Sequence, residues 1–266
     1  MDELAFISGV LADIAPLVRE RYADRSALAV LTKSGVMDLV TAVDTEVQER
    51  IVTRIQQEFR GDCIIAEESG LHRPPETRAE RCWYIDPIDG TQNFVRALFP
   101  AFGVSIAFGD SEQAHAAGVA LPMLNMTFLA QRGAGATRDD RRIRVSQVAE
   151  LEAAKVEVDF GAPQVRQQTL AEYTAVMARA GQVRSYCSAV VGLCSVAAGD
   201  SDAYCHSGLA PWDYAAAALI VEEAGGTVTR PDGAPVRLSD ELNRGIVASN
   251  GRLHAACLDT VVLARR

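Results

Sequence analysis

The chain has 266 residues, of which 48% are hydrophobic and 23% charged, with a formal net charge of −9. This supplies enough apolar material for one large core or two closely packed halves, and excludes a disordered or low-complexity chain. The acid excess argues against a protein that coats nucleic acid through phosphate contacts, and it would repel an anionic substrate unless bound cations intervened.

Leu4, Ile7, Leu11, Ile14 and Val18 recur every three or four residues, predicting a helix whose stripe is core and which Pro16 should kink or shorten. A turn-prone Lys33-Ser34-Gly35 follows, and Lys33 by default is a solvated loop charge. After Asp38 to Val43 comes a second helix with Val47, Ile51, Ile55 and Phe59 on one face. Thr41 and Asp44 have capping-box spacing, which explains Asp44 without chemistry. Cys63 to Ala66 predicts a short strand ending in Glu67-Glu68-Ser69-Gly70. An acidic pair beside a loop is usually solvated, although at a strand end both carboxylates can turn into a cleft. Leu71 to Arg81, with Pro74-Pro75, reads as an exposed loop.

Trp83-Tyr84-Ile85 reads as a buried strand running into Asp86-Pro87-Ile88-Asp89-Gly90-Thr91-Gln92-Asn93-Phe94. Pro87 holds Asp86 extended as the strand ends, and Asp89 points back toward the same space. Gly90 lets backbone N–H groups approach an anion, and Thr91 can cap the helix that follows. The arrangement suits metal and phosphate, and equally an Asp-Pro turn before a capped helix.

Gly103 to Phe108, Ala117 to Leu121 and Met126 to Ala130 then predict an antiparallel meander, with Asp139 to Arg142 as a polar hairpin turn. Between Arg142 and Ser146 the pattern changes to alternating strand and helix, placing a boundary between an α+β half, 1–142, and an α/β half, 143–266, of one compact unit. The second half reads as strand Lys155 to Phe160, helix Val165 to Ala180, strand Val183 to Cys187, helix Ala189 to Ala198 and a strand around Ala203 to Cys205. Helix Trp212 to Ala224, strands Thr227 to Thr229 and Gly245 to Ala248, and helix Leu253 to Leu263 complete it. Asp213, in a first turn behind Pro211, has an ordinary role complementing the helix dipole.

The six cysteines form no Cys-x-x-Cys pair and read as buried hydrophobes of a reducing compartment; the four histidines lack zinc-ligand spacing. Met1-Asp2-Glu3 lacks the basic flank of a signal peptide and no apolar run spans a bilayer, so a cytoplasmic chain without membrane contact is expected. Glu67, Glu68, Asp86, Asp89 and Asp213 all fall at strand ends or helix starts, where α/β sheets bind ligands, and their hard oxygens suit Mg²⁺.

Glu67-Glu68, the Asp-Pro-Ile-Asp-Gly-Thr-x-Asn-Phe run at 86–94, and Trp212-Asp213 with Glu223-Ala224-Gly225-Gly226 resemble the signatures of the inositol monophosphatase family of magnesium-dependent, lithium-sensitive phosphatases. The resemblance implies an α-β-α-β-α sandwich that commonly forms homodimers and hydrolyses a small phosphorylated metabolite, inositol 1-phosphate being the reference substrate. It implies two or three Mg²⁺ ions: the first held by Glu67, Asp86 and the Ile88 carbonyl, the second by Asp86, Asp89 and Asp213, and a weaker third by Glu67 with waters. Gly90 and Thr91 would bind phosphate through backbone N–H groups. Thr91 with Asp44 would position and deprotonate the attacking water. Glu68 would support the metal site, and Lys33 would lie near phosphate.

Asp89, Ser188 and Ala189 fall at positions the resemblance makes substrate-facing. Where inositol-preferring members carry a glutamate seven residues before the Trp-Asp aspartate, this chain has His206, and imidazole is no anionic acceptor. A packed or loop histidine explains it equally well. Relatives with the same metal core motivate the alternatives of a histidinol-phosphate phosphatase, a fructose-1,6-bisphosphatase or a bisphosphate nucleotidase. A metal-stabilised regulatory protein without catalysis is the alternative of another class.

Overall fold

A computed structural model of the chain describes residues 2–24, 30–32, 39–72, 78–97, 99–161, 163–239 and 244–261. The first apolar stripe forms α1 (Glu3–Ala23) and buries Ile7, Leu11, Ile14 and Val18. Pro16 does not shorten it, because the proline lies on the exposed face, where water can satisfy the carbonyl that the missing N–H leaves unpaired. Next come β1 (Val30–Thr32), β2 (Leu39–Thr41), α2 (Ala42–Glu58), β3 (Asp62–Ala66), β4 (Gly70–His72) and β5 (Arg78–Asp89). The expected loop from Leu71 to Arg81 is therefore strand at both ends, since β4 and β5 both pair with β3; residues 73–77 lie outside the described residues.

α3 (Thr91–Arg96), β6 (Gly103–Gly109), β7 (Ala114–Leu121), β8 (Met126–Gln131), β9 (Gly135–Arg138) and β10 (Arg141–Arg142) complete the first half. Asp139 and Asp140, both with positive φ, make the turn between β9 and β10, as two-residue hairpins of this twist require. The second half runs β11 (Lys155–Val158), α4 (Pro163–Arg179), β12 (Gln182–Arg184), α5 (Ala189–Ala197), β13 (Ala203–Leu209), α6 (Pro211–Glu223), β14 (Thr227–Thr229), β15 (Arg244–Ser249) and α7 (His254–Thr260).

Among the described residues an eight-stranded sheet has the order β10-β9-β8-β7-β6-β5-β3-β4, a five-stranded sheet the order β12-β11-β13-β15-β14, and β1 pairs with β2. Helices α1 and α2 cover the outer face of the larger sheet, α5 and α6 lie between the sheets, and α4 and α7 cover the far face of the smaller one. The result is an α-β-α-β-α sandwich. Because both faces of the large sheet are covered, β6 is buried along its whole length. Period-two alternation then sorts side chains: Trp83, Ile85, Val104 and Ile106 join the cluster under α1 and α2, whereas Cys82, Tyr84 and Ala107 join the central cluster under α5 and α6.

Helix α5 approaches β13 through Gly192, where an added Cβ would lie 2.4 and 2.6 Å from Tyr204 ring carbons and 2.8 Å from Glu157 Oε2. Both neighbours are fully buried and cannot step aside. Gly192→Ala is expected to cost about 1–3 kcal/mol, lowering the melting temperature by roughly 2–12 °C. Gly9→Ala, in the middle of α1 with nothing within 4 Å of the new methyl group, should raise it. Thermal unfolding of both variants checks the pair.

Candidate functional site

Asp86 and Asp89 are three positions apart, so a regular strand would turn them to opposite faces. β5 does not end in a turn at Asp86, contrary to the expectation from sequence. It continues to Asp89 through a bulge: Asp86 pairs with Ser105 and Asp89 with Gly103, three steps on β5 against two on β6. The extra residue reverses the alternation and brings both carboxylates to the inner face. Pro87, with no N–H to offer the ladder, fits the bulge. Asp86 Oδ1 accepts from Ile88 N at 3.0 Å across it.

The third carboxylate arrives from α6. Ser105, the cross-strand partner of Asp86, donates its hydroxyl to Trp212 O at 3.3 Å and so seats the first turn of α6 beside β5 and β6. Asp213 Oδ2 accepts from Ala210 N at 2.7 Å, the back-bond of an acidic residue in a first helical turn. One oxygen each from Asp86, Asp89 and Asp213 lies within 4.8 Å of the others. Asp89 Oδ2 is held by the Ser188 hydroxyl and by Val190 N at 3.1 Å, both at the start of α5.

A buried carboxylate and a hydroxyl stand next to this cluster. The capping box is present: Asp44 Oδ2 accepts from Thr41 N at 2.9 Å and from Thr41 Oγ1 at 2.5 Å. Its other oxygen faces Thr91 Oγ1 at 3.2 Å, and that hydroxyl is also 3.0 Å from Ile88 O. One proton cannot serve both acceptors at once, so the Thr91 hydroxyl can turn between them. Gly90, at φ 86, is the N-cap of α3; Thr91, expected as the cap, is the first helical residue and spends its hydroxyl on Asp44. A Cβ on Gly90 would sit 3.0 Å from Ala101 O and 3.1 Å from Ser188 Cβ, which leaves glycine as the residue that fits.

Glu67 stands close enough to Asp86 for its charge to act on the buried Asp86 carboxyl. Burial, then Glu67, Asp89 and Asp213, push the Asp86 carboxyl well up. Burial pushes Asp89 up to about 7 against the bonds from Ser188 and Val190. Burial also raises Asp44, with Glu67 adding to it and Thr41 opposing. Buried carboxylates that repel one another and offer only oxygen fit a hard divalent cation such as Mg²⁺ or Mn²⁺.

Glu68 sits in the same turn as Glu67, anchored by Glu68 N on Gln48 Oε1 at 2.9 Å. Lys33 lies outside the described residues. Ser188 is buried and caps α5, with Ala189 the helix's first residue. His206 is on β13 rather than in a loop; it is buried, and burial lowers it to about 4, so it is neutral at pH 7. Gly208 N donates to its Nδ1 at 2.9 Å, which puts the imidazole proton on Nε2 beside Gly161. Sequence reasoning missed Ser105 and Gln48, whose roles follow from pairing and packing partners distant in the chain. It also missed Asn93, inside the motif, whose amide bridges Ala101 O and Tyr186 O at 2.6 Å each.

The model of the inositol monophosphatase family matches residues 1–265. The chain is 40% identical over 224 residues to the Nus factor SuhB of Vibrio cholerae, covering 83% of this chain and 81% of that protein. It is 35% identical over 226 residues to a fructose-1,6-bisphosphatase/inositol-1-monophosphatase of Thermotoga maritima, covering 84% and 82%. A solved IMPase structure from Thermotoga maritima superposes with a TM-score of 0.85 at 32% identity, covering 98% of this chain and 96% of that one.

The raised carboxyls give a pH signature. Asp86 and Asp89 in the metal-free fold keep protons that the unfolded chain has lost, so the stability they contribute falls as pH rises from their ordinary value of 3.8 toward about 7. Metal-free protein is expected to melt at lower temperature as the pH goes from about 5 to about 7.5. Added Mg²⁺ should restore stability by an amount that grows with pH. Melting curves with chelator and with Mg²⁺ across that range test this, and a metal effect equal at every pH would contradict it.

Proposed function

The chain belongs to the inositol monophosphatase family, and on that premise we propose that it is a Mg²⁺-dependent phosphate monoester hydrolase acting on a small polyol or sugar phosphate of the inositol 1-phosphate kind. The observation that carries the reading is the convergence of Asp86, Asp89 and Asp213 beside the Asp44–Thr91 pair. Asp86, Asp89 and Asp213, with Glu67 and the Ile88 carbonyl, would hold two or three cations. Bound there, the ions would supply positive charge to the phosphate oxygens and lower the pKa of a neighbouring water.

This chain's own residues do the rest. Gly90 and Thr91 present first-turn N–H groups, which have no acceptor within the helix, to the phosphate. Thr91 Oγ1 accepts the proton of the attacking water and passes its own to Asp44 Oδ1. That transfer suits Asp44, whose Oδ2 is tied to Thr41 and whose buried carboxyl is a better base than an exposed one. Glu68 supports the turn that carries Glu67, and Lys33 is the cation this reading assigns to the phosphate. Ser188 and Ala189 meet the substrate side through Asp89, and His206 offers a neutral N–H donor. A homodimer is part of the same reading.

The 40% identity to the Vibrio cholerae protein favours a second reading, in which the chain serves as a Nus factor. The two separate on one variant: Asp89→Asn should abolish phosphate release and leave a Nus-factor role intact.

Phosphate release with Mg²⁺ is measured on inositol 1-phosphate, histidinol phosphate, fructose 1,6-bisphosphate and an adenosine bisphosphate. One substrate is expected to lead, with kcat/KM reduced roughly 10²–10⁴-fold by Asp44→Asn and at least as far by Asp89→Asn. No release from any of them by protein with Mg²⁺ bound would sink the phosphatase reading.

A further inference from the structure

The hold on Asp89 depends on the segment 185–188, which leads into α5 and carries the Ser188 hydroxyl. This segment is not relaxed by itself. Cys187 has φ 55, a left-handed conformation that L residues other than Asn and Asp seldom take, so something must hold it there. The holder is a carboxylate that no sequence motif pointed to. Asp159 follows β11 directly, is 3% exposed, and is fixed to the smaller sheet by its own N–H on Cys205 O at 3.2 Å. Its Oδ1 accepts from Ser185 Oγ and Cys187 N, each at 2.8 Å. Its Oδ2 accepts from Ser188 N at 3.2 Å and from Tyr204 OH at 3.4 Å.

We propose that Asp159 is a positioning residue for the metal site: it clamps Cys187 and Ser188 from the smaller sheet, and so sets the Ser188 hydroxyl on Asp89. The chain of contacts runs from sheet to Asp159, to the Ser188 backbone, to the Ser188 side chain, and to Asp89. Partners beyond the ligands tune metal sites in this way by fixing ligand orientation. The proposal rests on the reading of Asp89 as a metal ligand.

The chemistry requires a carboxylate. Ser185 and Tyr204 can rotate their hydroxyls to donate or accept, but the N–H groups of Cys187 and Ser188 can only donate, and one approaches each oxygen of Asp159. Asparagine has the same shape and a single oxygen. Whichever way it flips, its NH₂ opposes one of those two N–H groups. Asp159→Asn therefore releases either the left-handed residue or the residue that touches Asp89.

Equilibrium binding of Mn²⁺ to the full chain, followed by the electron paramagnetic resonance of the free ion, tests this without recourse to turnover. Asp159→Asn is expected to bind about tenfold more weakly. Asp202→Asn is the comparator: Asp202 is likewise buried, directly before β13, and its carboxylate holds Ser146 Oγ and Lys155 N rather than any residue of the 185–188 segment. It should lower the melting temperature and leave Mn²⁺ affinity within about twofold. Ser188→Ala should weaken binding by itself, and the double variant should lose less than the product of the two single losses, because both act through one contact.

Mn²⁺ affinity of Asp159→Asn equal to wild type, or full additivity with Ser188→Ala, overturns the proposal. Should Asp159→Asn fail to fold, Tyr204→Phe replaces it; that variant removes one donor and should weaken Mn²⁺ two- to threefold, and no change would count against the clamp. Wild type that binds Mn²⁺ but releases no phosphate ends the phosphatase reading and leaves this one standing, whereas wild type that binds no Mn²⁺ ends both.

Discussion

The bulge in β5 is the constraint from which the site follows. With ladder partners at Ser105 and Gly103, the strand carries one residue more than its neighbour between Asp86 and Asp89. A strand side chain's face is set by parity, so that residue is the whole difference between two acids on one face and two on opposite faces. The outer face under α1 and α2 is lined by Trp83, Ile85, Val104 and Ile106, apolar surroundings in which burying two more charges is costly. The inner face meets the first turns of α5 and α6, which supply N–H groups and a third acid. Proline stabilises the arrangement by having no N–H to lose.

The sandwich makes that meeting possible. Each half contributes something the other lacks: Asp86, Asp89, Asp44 and Thr91 stand on elements around the larger sheet, whereas Asp213 and the Ser188 clamp come from helices between the sheets. Ser105 to Trp212 O and Asn93 to Tyr186 O, together with the bonds from Ser188 and Val190 to Asp89, tie the two sets together at the site. The central apolar cluster, running from Cys63 and Tyr84 through Leu219 to Ala248, supplies the broader adhesion. At roughly 25 cal/mol per Å² of apolar surface, that packing offsets the cost of gathering buried acids.

The cost itself is directed. Asp86, Asp89 and Asp44 are all raised first of all by burial. A fold selected for stability alone would replace such a cluster with apolar groups, which are often better tolerated than buried charges. Here the acids are instead oriented one by one: Asp86 by Ile88 N, Asp89 by Ser188 and Val190, Asp213 by Ala210 N and Asp44 by Thr41. Pre-oriented oxygens repel one another without a cation and lose little freedom when one binds.

Much of this was legible in the residues in order. The stripe at Leu4 to Val18, the capping box at Thr41 and Asp44, the strand at Cys63 to Ala66, the meander and the alternation after Lys155 all follow from local periodicity and local hydrogen bonding, which a sequence carries in itself. The acidic motifs pointed to chemistry only in combination, because each acid by itself has an ordinary turn, cap or surface role. What the sequence left open were matters of register and approach. It treated Asp86 to Asp89 as a turn, placed Thr91 as a cap, and did not mark Ser105, Gln48 or Asp159. Those depend on which residue of β6 stands opposite β5, on where α6 comes to rest, and on a carboxylate reaching a loop some thirty positions away. The sequence by itself determined which groups are available and which segments carry them. Tertiary structure alone decided which face they share, because parity across a sheet and contact between distant elements are set by partners that local propensity does not see.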